Sequence, residues 1–592
     1  MRTAQLERVW SEMCDRSSPR IAIFLRRDLA FWRMGVGVAE GPVTIPGNSQ
    51  PRSVVRHAQP TGLTIAGNWH SRDTRGDYRG MSWRRVVFLF HRWSAILLGL
   101  LVFSWFASGI AMMYYPWPLI TESRQRALLE PFDVASLDTA IIGFRKAATL
   151  RPSVTLAGGR LLRRDGRLLY ELLEDYRDGR VEAAALVDAR SGELLTPLDT
   201  TRAIAFARAV GGQTAVRGAE LVGRGDRYMM SGEYARYFPA YRVHFDDAAG
   251  RGSTWVYVSR DRGSVFGVVT GRTRVTTWLG VVPHWLYFGW LYERAELWTW
   301  LNLLLPGAAV LIALTGITYG VVQLFPRRRE GVWRVSSYGG MSQWHHLAGI
   351  GFGLVVLTWT VSGVLEMLGS DNNARAGQAE RVRGGPIAWR AVSLSESDAI
   401  RAARASGVLG GGPLISVTLA QLGGHPGYAI QPVTGRDVWV DAATAVVRGE
   451  LDSAGAVAAG KEGIRTADIR ADITAVTTAV TTAERIDRYD SYYYARPGRE
   501  LHLPAWRVTF DDSARSVVYL HTVTGAPVGF VDRDTRRWRW LRDGMHSWDF
   551  PAINGRRPLW DAIVLPFMLG GLLSAATGVW LAIKRVRRMV KT

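Results

Sequence analysis

The chain has 592 residues, 24 tryptophans, one cysteine and a formal charge of +21, from 73 lysines and arginines against 52 aspartates and glutamates. That length predicts more than one folding unit. The single cysteine, Cys14, excludes an intramolecular disulfide, a Cys-ligated iron–sulfur cluster and a Cys-rich zinc site within one chain. Positive charge alone would suggest nucleic acid. Long apolar runs beside abundant Trp and Arg fit a membrane protein better, because membrane interfaces collect tryptophan and cytoplasmic loops collect basic residues, and no nucleic-acid partner is expected.

Residues 1–80 are rich in Arg, Gly, Ser and Pro without sustained periodicity. They read as a disordered extension, or as an over-long start with Met81 standing just before the first apolar stretch. Four stretches are then long and apolar enough to cross a bilayer: Val86 to Tyr115, Leu297 to Phe325, His345 to Gly369 and Leu559 to Ile583. With their flanks they predict transmembrane helices at 81–118, 293–326, 342–370 and 556–584. Arg84 and Arg85, the loop at 327–341 with Arg327 to Arg329, and the tail at 585–592 place the basic clusters on one side. Both termini are therefore expected in the cytoplasm of a bacterium, with 119–292 and 371–555 in the periplasm and the chain in the inner membrane. These two outer regions read as α+β. Leu137 to Leu150 and Ser395 to Ala405 suggest helices. Arg167 to Glu174, Glu182 to Asp188 and Thr254 to Ser259 alternate as strands between turns such as Arg190 to Glu193 and Asp261 to Ser264.

The chain also repeats itself. Phe103 to Met113 matches Leu357 to Met367, and in the same register His345 lies 254 residues after His91. Leu297-Trp298 matches Leu559-Trp560 and Thr315-Gly316 matches Thr577-Gly578. In that register, 262 residues, His284 meets His546, Phe288 meets Phe550 and Arg294 meets Arg556. Pro239 to Asp247 mirrors Pro504 to Asp512, and Val187 to Ala189 mirrors Val440 to Ala442. The expected fold is a membrane α+β protein of two span–domain–span repeats, packed about a pseudo-two-fold axis along the membrane normal.

Only 11 residues are histidine, so two repeat-matched pairs point to a retained role. His91 and His345 lie near the cytoplasmic ends of their spans. His284 and His546 precede the outer ends of theirs. Neutral imidazole is an axial ligand of haem iron, and these four are the candidate ligands for about two b-type haems per chain. No C-x-x-C-H occurs, so the haem would be held without covalent attachment. His346, beside His345, is the rival ligand. Arg92 stands at its repeat position, which favours His345. Gly99, Gly109, Gly349, Gly351, Gly353 and Gly363 offer flat surfaces for a macrocycle or for helix contact. Arg92, Arg294 and Arg556 are candidate partners for its propionates. The other histidines (His57, His70, His244, His425, His502 and His521) read as surface or packing residues. The pairs Asp246-Asp247 and Asp511-Asp512 read as turn residues. No Rossmann fingerprint, P-loop or Ser-His-Asp order stands out, so no catalytic residue is assigned. Electrons would come from quinol or a separate reductase.

These motifs resemble the PepSY-associated transmembrane family, over roughly residues 81–588. The resemblance rests on His91-Arg-Trp93, on His284, Arg294, Leu297-Trp298 and Thr315-Gly316 with their counterparts from His546 to Gly578, and on the Val-Asp-Ala strands at Asp188 and Asp441. The third span departs from the pattern, opening with His345-His346-Leu where the family has His-x-Trp. The resemblance implies two periplasmic PepSY-like regions, b-type haems on membrane histidines, and reduction of ferric siderophores or other ferric chelates during iron acquisition. Two rival readings remain open. One is a PepSY-domain peptide-binding or protease-regulating membrane protein without redox activity. The other is a transporter, against which stands the scarcity of deep ionisable residues other than Glu366 and Asp561.

Overall fold

The computed structural model describes residues 82–591 except 116–119, 121, 134–140, 152–154, 176–180, 224–225, 230–233, 235–236, 247–252, 325–326, 330–331, 369–386, 423–424, 468–479, 496–500 and 554. The expectations for residues 1–80, for Cys14, His57 and His70, and for Asp247 lie outside the described residues.

Four helices are long and apolar enough to cross a membrane: Trp83–Tyr114, Ala295–Val322, Met341–Leu368 and Leu559–Lys591. The shortest has 28 residues, about 42 Å at 1.5 Å per residue, which exceeds a hydrocarbon core of about 30 Å. The fourth runs past Ile583 because Lys584 to Lys591 stay helical while exposed. The spans form a ring: the first packs on the second and fourth, and the third packs on the second and fourth. Glycines permit this closeness. A Cβ at Gly570 would stand 2.3 Å from the Phe352 ring, one at Gly571 2.3 Å from Phe106, and one at Gly353 2.9 Å from Ile317. In lipid, where apolar surface alone drives no association, such close van der Waals packing holds helices together. Large apolar side chains such as Leu97, Leu100, Leu354 and Trp580 point outward. The acids at the outer ends are paired. Glu366 meets Arg542 at 3.1 Å and Asp561 meets Arg557 at 3.0 Å.

The stretches between the spans build three sheets. Strands β1 (Thr155–Arg164), β2 (Arg167–Asp175) and β3 (Val181–Asp188) follow the first span. Strands β4 (Val216–Val222), β5 (Ala240–Asp246), β6 (Ser253–Ser259) and β7 (Val265–Val269) make a second, antiparallel sheet. A two-stranded ribbon, β8 (Arg327–Arg329) and β9 (Val332–Arg334), links the second and third spans. After the third span come β10 (Leu414–Leu422), β11 (His425–Pro432), β12 (Val438–Asp441) and β13 (Val447–Arg448). Strands β14 (Val480–Ile486), β15 (Ala505–Phe510), β16 (Val517–His521) and β17 (Pro527–Val531) form the third sheet.

The two outer stretches do not stand apart, which the sequence reading did not anticipate. β1 pairs antiparallel with β10, giving one seven-stranded sheet in the order β13-β12-β11-β10-β1-β2-β3. Arg160 faces Thr418, Gly159 faces Leu419 and Leu161 faces Val417. Within each hairpin Leu161 faces Tyr170 and Leu419 faces Tyr428. The pairing is thus symmetric about Arg160 and Thr418. The short helices Gly143–Thr149 and Glu396–Ala405 lie on this sheet over a shared core of Phe144, Tyr170, Ile400, Val417, Leu419 and Tyr428. The second helix starts with a capping box between Ser395 and Asp398. The Tyr170 hydroxyl donates to the buried Glu396 carboxylate, and burial pushes that carboxyl above its ordinary range.

Each four-stranded sheet carries the same ionic knot. Arg242 donates to Asp226 at 2.5 Å and to Glu220 at 2.6 Å, and Tyr257 donates to Asp226 at 3.0 Å. Arg507 donates to Asp490 at 3.2 Å and pairs with Glu484, and Tyr519 donates to Asp490 at 2.7 Å. After each sheet the chain turns into a short elbow leading to a span. Thr270 caps the helix Gly271–Leu279 through the Thr273 N–H at 3.2 Å, and Asp532 caps Arg533–Trp538 through Thr535 at 2.6 Å.

Candidate functional site

The histidines meet in two places. His91, in the first span, and His345, in the third, face each other with ring centroids 6.3 Å apart. His91 Nδ1 bonds the Ile312 carbonyl of the second span at 3.0 Å, and His345 Nδ1 bonds the Ser574 carbonyl of the fourth at 3.1 Å. A carbonyl only accepts, so Nδ1 carries the proton in both rings and Nε2 keeps its lone pair. Each ring rests on a glycine one helical turn further along. A Cβ at Gly316 would stand 2.7 Å from His91 Cε1, and one at Gly578 3.1 Å from His345 Cε1. Ile312 and Gly316, like Ser574 and Gly578, are four residues apart, which puts them on one helix face.

His284 and His546 come from the elbows that lead into the second and fourth spans. Their ring centroids are 6.2 Å apart. His284 Nδ1 meets the Ser108 hydroxyl at 3.1 Å, and His546 Nδ1 meets Ser362 at 3.0 Å. Ser108 donates its own proton to the Trp105 carbonyl and Ser362 to that of Trp359, at 3.2 and 2.9 Å. Each hydroxyl has one proton, already committed, so it accepts from Nδ1–H and Nε2 is again left bare. Cβ atoms at Gly109 and Gly363 would sit 3.7 Å from His284 Cε1 and 4.0 Å from His546 Cε1. Two residues beyond each histidine the backbone turns left-handed, at Leu286 (φ 53°) and Trp548 (φ 50°). Bulky residues rarely hold that conformation unless their surroundings impose it. Among the described residues no hydrogen bond engages Nε2 of any of the four rings.

An imidazole nitrogen bonds a transition metal at about 2 Å and the ring centroid lies roughly 1.1 Å behind it, so two imidazoles on one ion stand about 6 Å apart. Both observed spacings match. Among the described residues no cluster of three or more His, Cys, Asp or Glu side chains is poised around an ion. A pair of protein ligands suits a metal whose remaining positions are filled by a non-protein ligand, which a haem provides. Gly316 and Gly578 let the His91 and His345 rings lie close against the helix backbone, whereas beside Gly109 the Met568 methyl stands 2.8 Å from the Cβ position. Between the two pairs the bundle centre is filled. Phe106 and Trp359 pack edge to face at 5.7 Å, buried with Val564 and Met568.

His346 is not equivalent to His345. It is buried, with Nδ1 2.7 Å from the Ser336 hydroxyl and Nε2 2.8 Å from the Gly320 carbonyl. Arg92 lies over Phe88 and Trp93, at 5.1 and 5.6 Å, and its buried Nε has no hydrogen-bond partner among the described residues. Arg294 is exposed and donates to the Trp290 carbonyl at 2.6 Å, and Arg556 is exposed. No described contact brings either to a histidine ring. His244 stacks on Trp255 and His502 packs on His521. Asp246 pairs with Arg217, and Asp512 holds its own turn through Ser516. Of the glycines singled out in the sequence, Gly99 and Gly353 serve helix contact, and only Gly109 and Gly363 lie beside a histidine. Ser108, Ser362, Gly316 and Gly578 were visible only as repeated letters. Their identity at matched positions of Trp-x-x-Ser-Gly and Thr-Gly was the signal. No protein-family model matches the chain, and no curated protein matches it.

Proposed function

We propose that the chain is a bacterial inner-membrane electron-transfer protein built from two span–domain–span repeats, in which each histidine pair would hold one b-type haem. The observation that carries this reading is the fourfold recurrence of one arrangement: Nδ1 tied down, no described hydrogen bond on Nε2, a partner ring about 6 Å away between centroids, and a glycine beside the ring. The Nδ1 hydrogen bonds fix each ring's tautomer and orientation and raise its basicity, as outer-shell partners of ligating histidines do. The glycines at 316 and 578 let the rings pack directly against the neighbouring helices. Phe106 and Trp359 keep water out of the bundle between the pairs. When bound, haem supplies one-electron iron chemistry.

The basic residues at 84–85, 327–329 and 584–588 favour a cytoplasmic side for the His91–His345 pair. The sheets and the His284–His546 pair then face the periplasm, in keeping with the PepSY-like resemblance. The electron donor is quinol or a separate reductase. The acceptor is a ferric siderophore or other ferric chelate, whose reduction to Fe(II) weakens its hold on hard oxygen donors. An absorption spectrum of the detergent-purified chain, oxidised and dithionite-reduced, tests the haem. Sharp b-type bands at about two haems per chain are expected. Stopped-flow reoxidation by ferric chelates tests the reaction, and no acceleration over a haem-only control overturns it. Haem-free protein after expression with ample haem removes the redox reading and leaves peptide binding by the outer regions.

A further inference from the structure

The two elbows are built alike but charged differently. The elbow helix Arg533–Trp538 and the turn between β15 and β16 enclose an open basin of about 600 Å³, lined by Thr509, Ala514, Arg515, Arg533, Arg536, Arg537 and Trp540. Four of its seven lining residues are arginine and none is acidic. Positions 262 residues earlier, in the elbow that carries His284, hold Ser253, Gly271, Arg274, Val275 and Trp278 opposite Arg515, Arg533, Arg536, Arg537 and Trp540. Arg and Trp recur at matched positions, while Arg515, Arg533 and Arg537 have Ser253, Gly271 and Val275 as counterparts and the first elbow has Arg272 where the second has Asp534.

The rim is partly tied and partly available. Arg536 donates to the Ala514 carbonyl at 3.4 Å and lies over Tyr492 at 5.6 Å. Arg537 makes one exposed ion pair, with Asp534 at 3.6 Å. Asp512, the nearest acid on the β15–β16 turn, is turned inward to Ser516. Trp540 is partly exposed, with the Arg539 guanidinium over its ring at 5.0 Å and Phe550 stacked at 6.3 Å. Guanidinium groups bind anionic oxygen in forked pairs, and an indole face takes an aromatic ring. The basin is continuous in the chain with His546, through the π-helical turn Arg539–Gly544. π-helical turns are frequent at functional sites.

We propose that this basin binds the acceptor, and that the acceptor is an anionic aromatic chelate of the tris-catecholate class, in preference to a neutral hydroxamate. This inference rests on the electron-transfer reading for the word acceptor, but its test does not need haem. The probe is the gallium(III) complex of a hexadentate tris-catecholate, a trianion that cannot be reduced, titrated into the full chain in detergent and followed by quenching of tryptophan fluorescence and by calorimetry. Saturable binding is expected, weakening with added salt. The double variant R533Q/R537Q is expected to bind about tenfold more weakly or worse, and R533K/R537K to recover part of the affinity. An unchanged melting temperature shows that the variants fold. The neutral gallium(III) tris-hydroxamate is expected to bind poorly to all three proteins. Equal affinity of wild type and R533Q/R537Q for the trianion overturns the proposal, as does equal affinity of wild type for the neutral complex. If R533Q/R537Q loses co-purifying phosphatidylglycerol while binding the trianion normally, the basin is a lipid-headgroup site and the proposal falls. Haem is measured separately on the same samples, so failure to bind the trianion and failure to bind haem are read independently.

Discussion

The two histidine pairs achieve the same ring spacing by different means. His91 and His345 sit within continuous spans, and their Nδ1 partners are main-chain carbonyls of Ile312 and Ser574. No side-chain substitution deletes a carbonyl, so helix packing chiefly sets this pair, with one added side-chain contact, from the Thr577 hydroxyl to His345 Nδ1 at 3.2 Å. His284 and His546 sit on elbows, steadied by the hydroxyls of Ser108 and Ser362 and by left-handed turns at Leu286 and Trp548. One pair is therefore a property of the bundle, and the other a property of how the outer sheets dock on it.

The strongest way to break the comparison is to remove a ring. H91A or H345A should abolish haem at the inner pair and spare the outer, and H284A or H546A the reverse. Each should lower the pyridine-haemochrome stoichiometry by about one haem per chain. H346A should leave the count unchanged, because both its nitrogens are spent on Ser336 and Gly320. Next in size is crowding. G316V places a branched side chain against His91, where even a Cβ stands 2.7 Å away. It should lose the inner haem and cost roughly 1–3 kcal/mol of stability as overpacking. A smaller effect separates the pairs directly. S108A or S362A removes the acceptor of an outer Nδ1–H, costing about 1 kcal/mol and weakening haem retention about 10–100-fold, read by transfer of haem to apomyoglobin. T577A, which removes the Thr577 hydroxyl from His345 Nδ1, should have a smaller effect on the inner pair, because the Ser574 carbonyl still holds that nitrogen.

The smallest effect on either pair is expected from the sheet layer. The Glu396 carboxyl is held above its ordinary range by burial. The folded state therefore binds its proton more tightly than the unfolded state does. Its contribution is fully present below the ordinary carboxylate range and is lost as pH rises through the raised folded value. E396Q should flatten the fall in thermal stability between acid and neutral pH while both haem bands stay unchanged. A shift of the outer band in E396Q would show that the sheet and the outer pair are coupled.

Much of the bundle was legible in the sequence. The four apolar runs agree with the structure's spans to within a few residues at most ends, because hydrophobic length is a local property. The stretch from Ser395 to Ala405 read as a helix and is one from Glu396, and the alternating runs at 167–174 and 254–259 are strands. The four histidines were visible because a rare residue recurred in register. The joining of β1 to β10 was not legible. Both strands look like half-buried members of separate sheets, and nothing local says which edge will be paired.

The sequence by itself determined the four apolar runs, their basic flanks and the recurrence of four histidines in register, since length, charge and self-similarity are written along the chain. Only the tertiary structure decided which ring faces which, that Ser108 and Ser362 hold the outer pair, that Gly316 and Gly578 make room for the inner one, and that arginines of the elbow and of the β15–β16 turn line one basin. The Nδ1 hydrogen bonds of the four histidines join residues at least 176 positions apart. They follow from helix packing and sheet pairing, which no local pattern encodes.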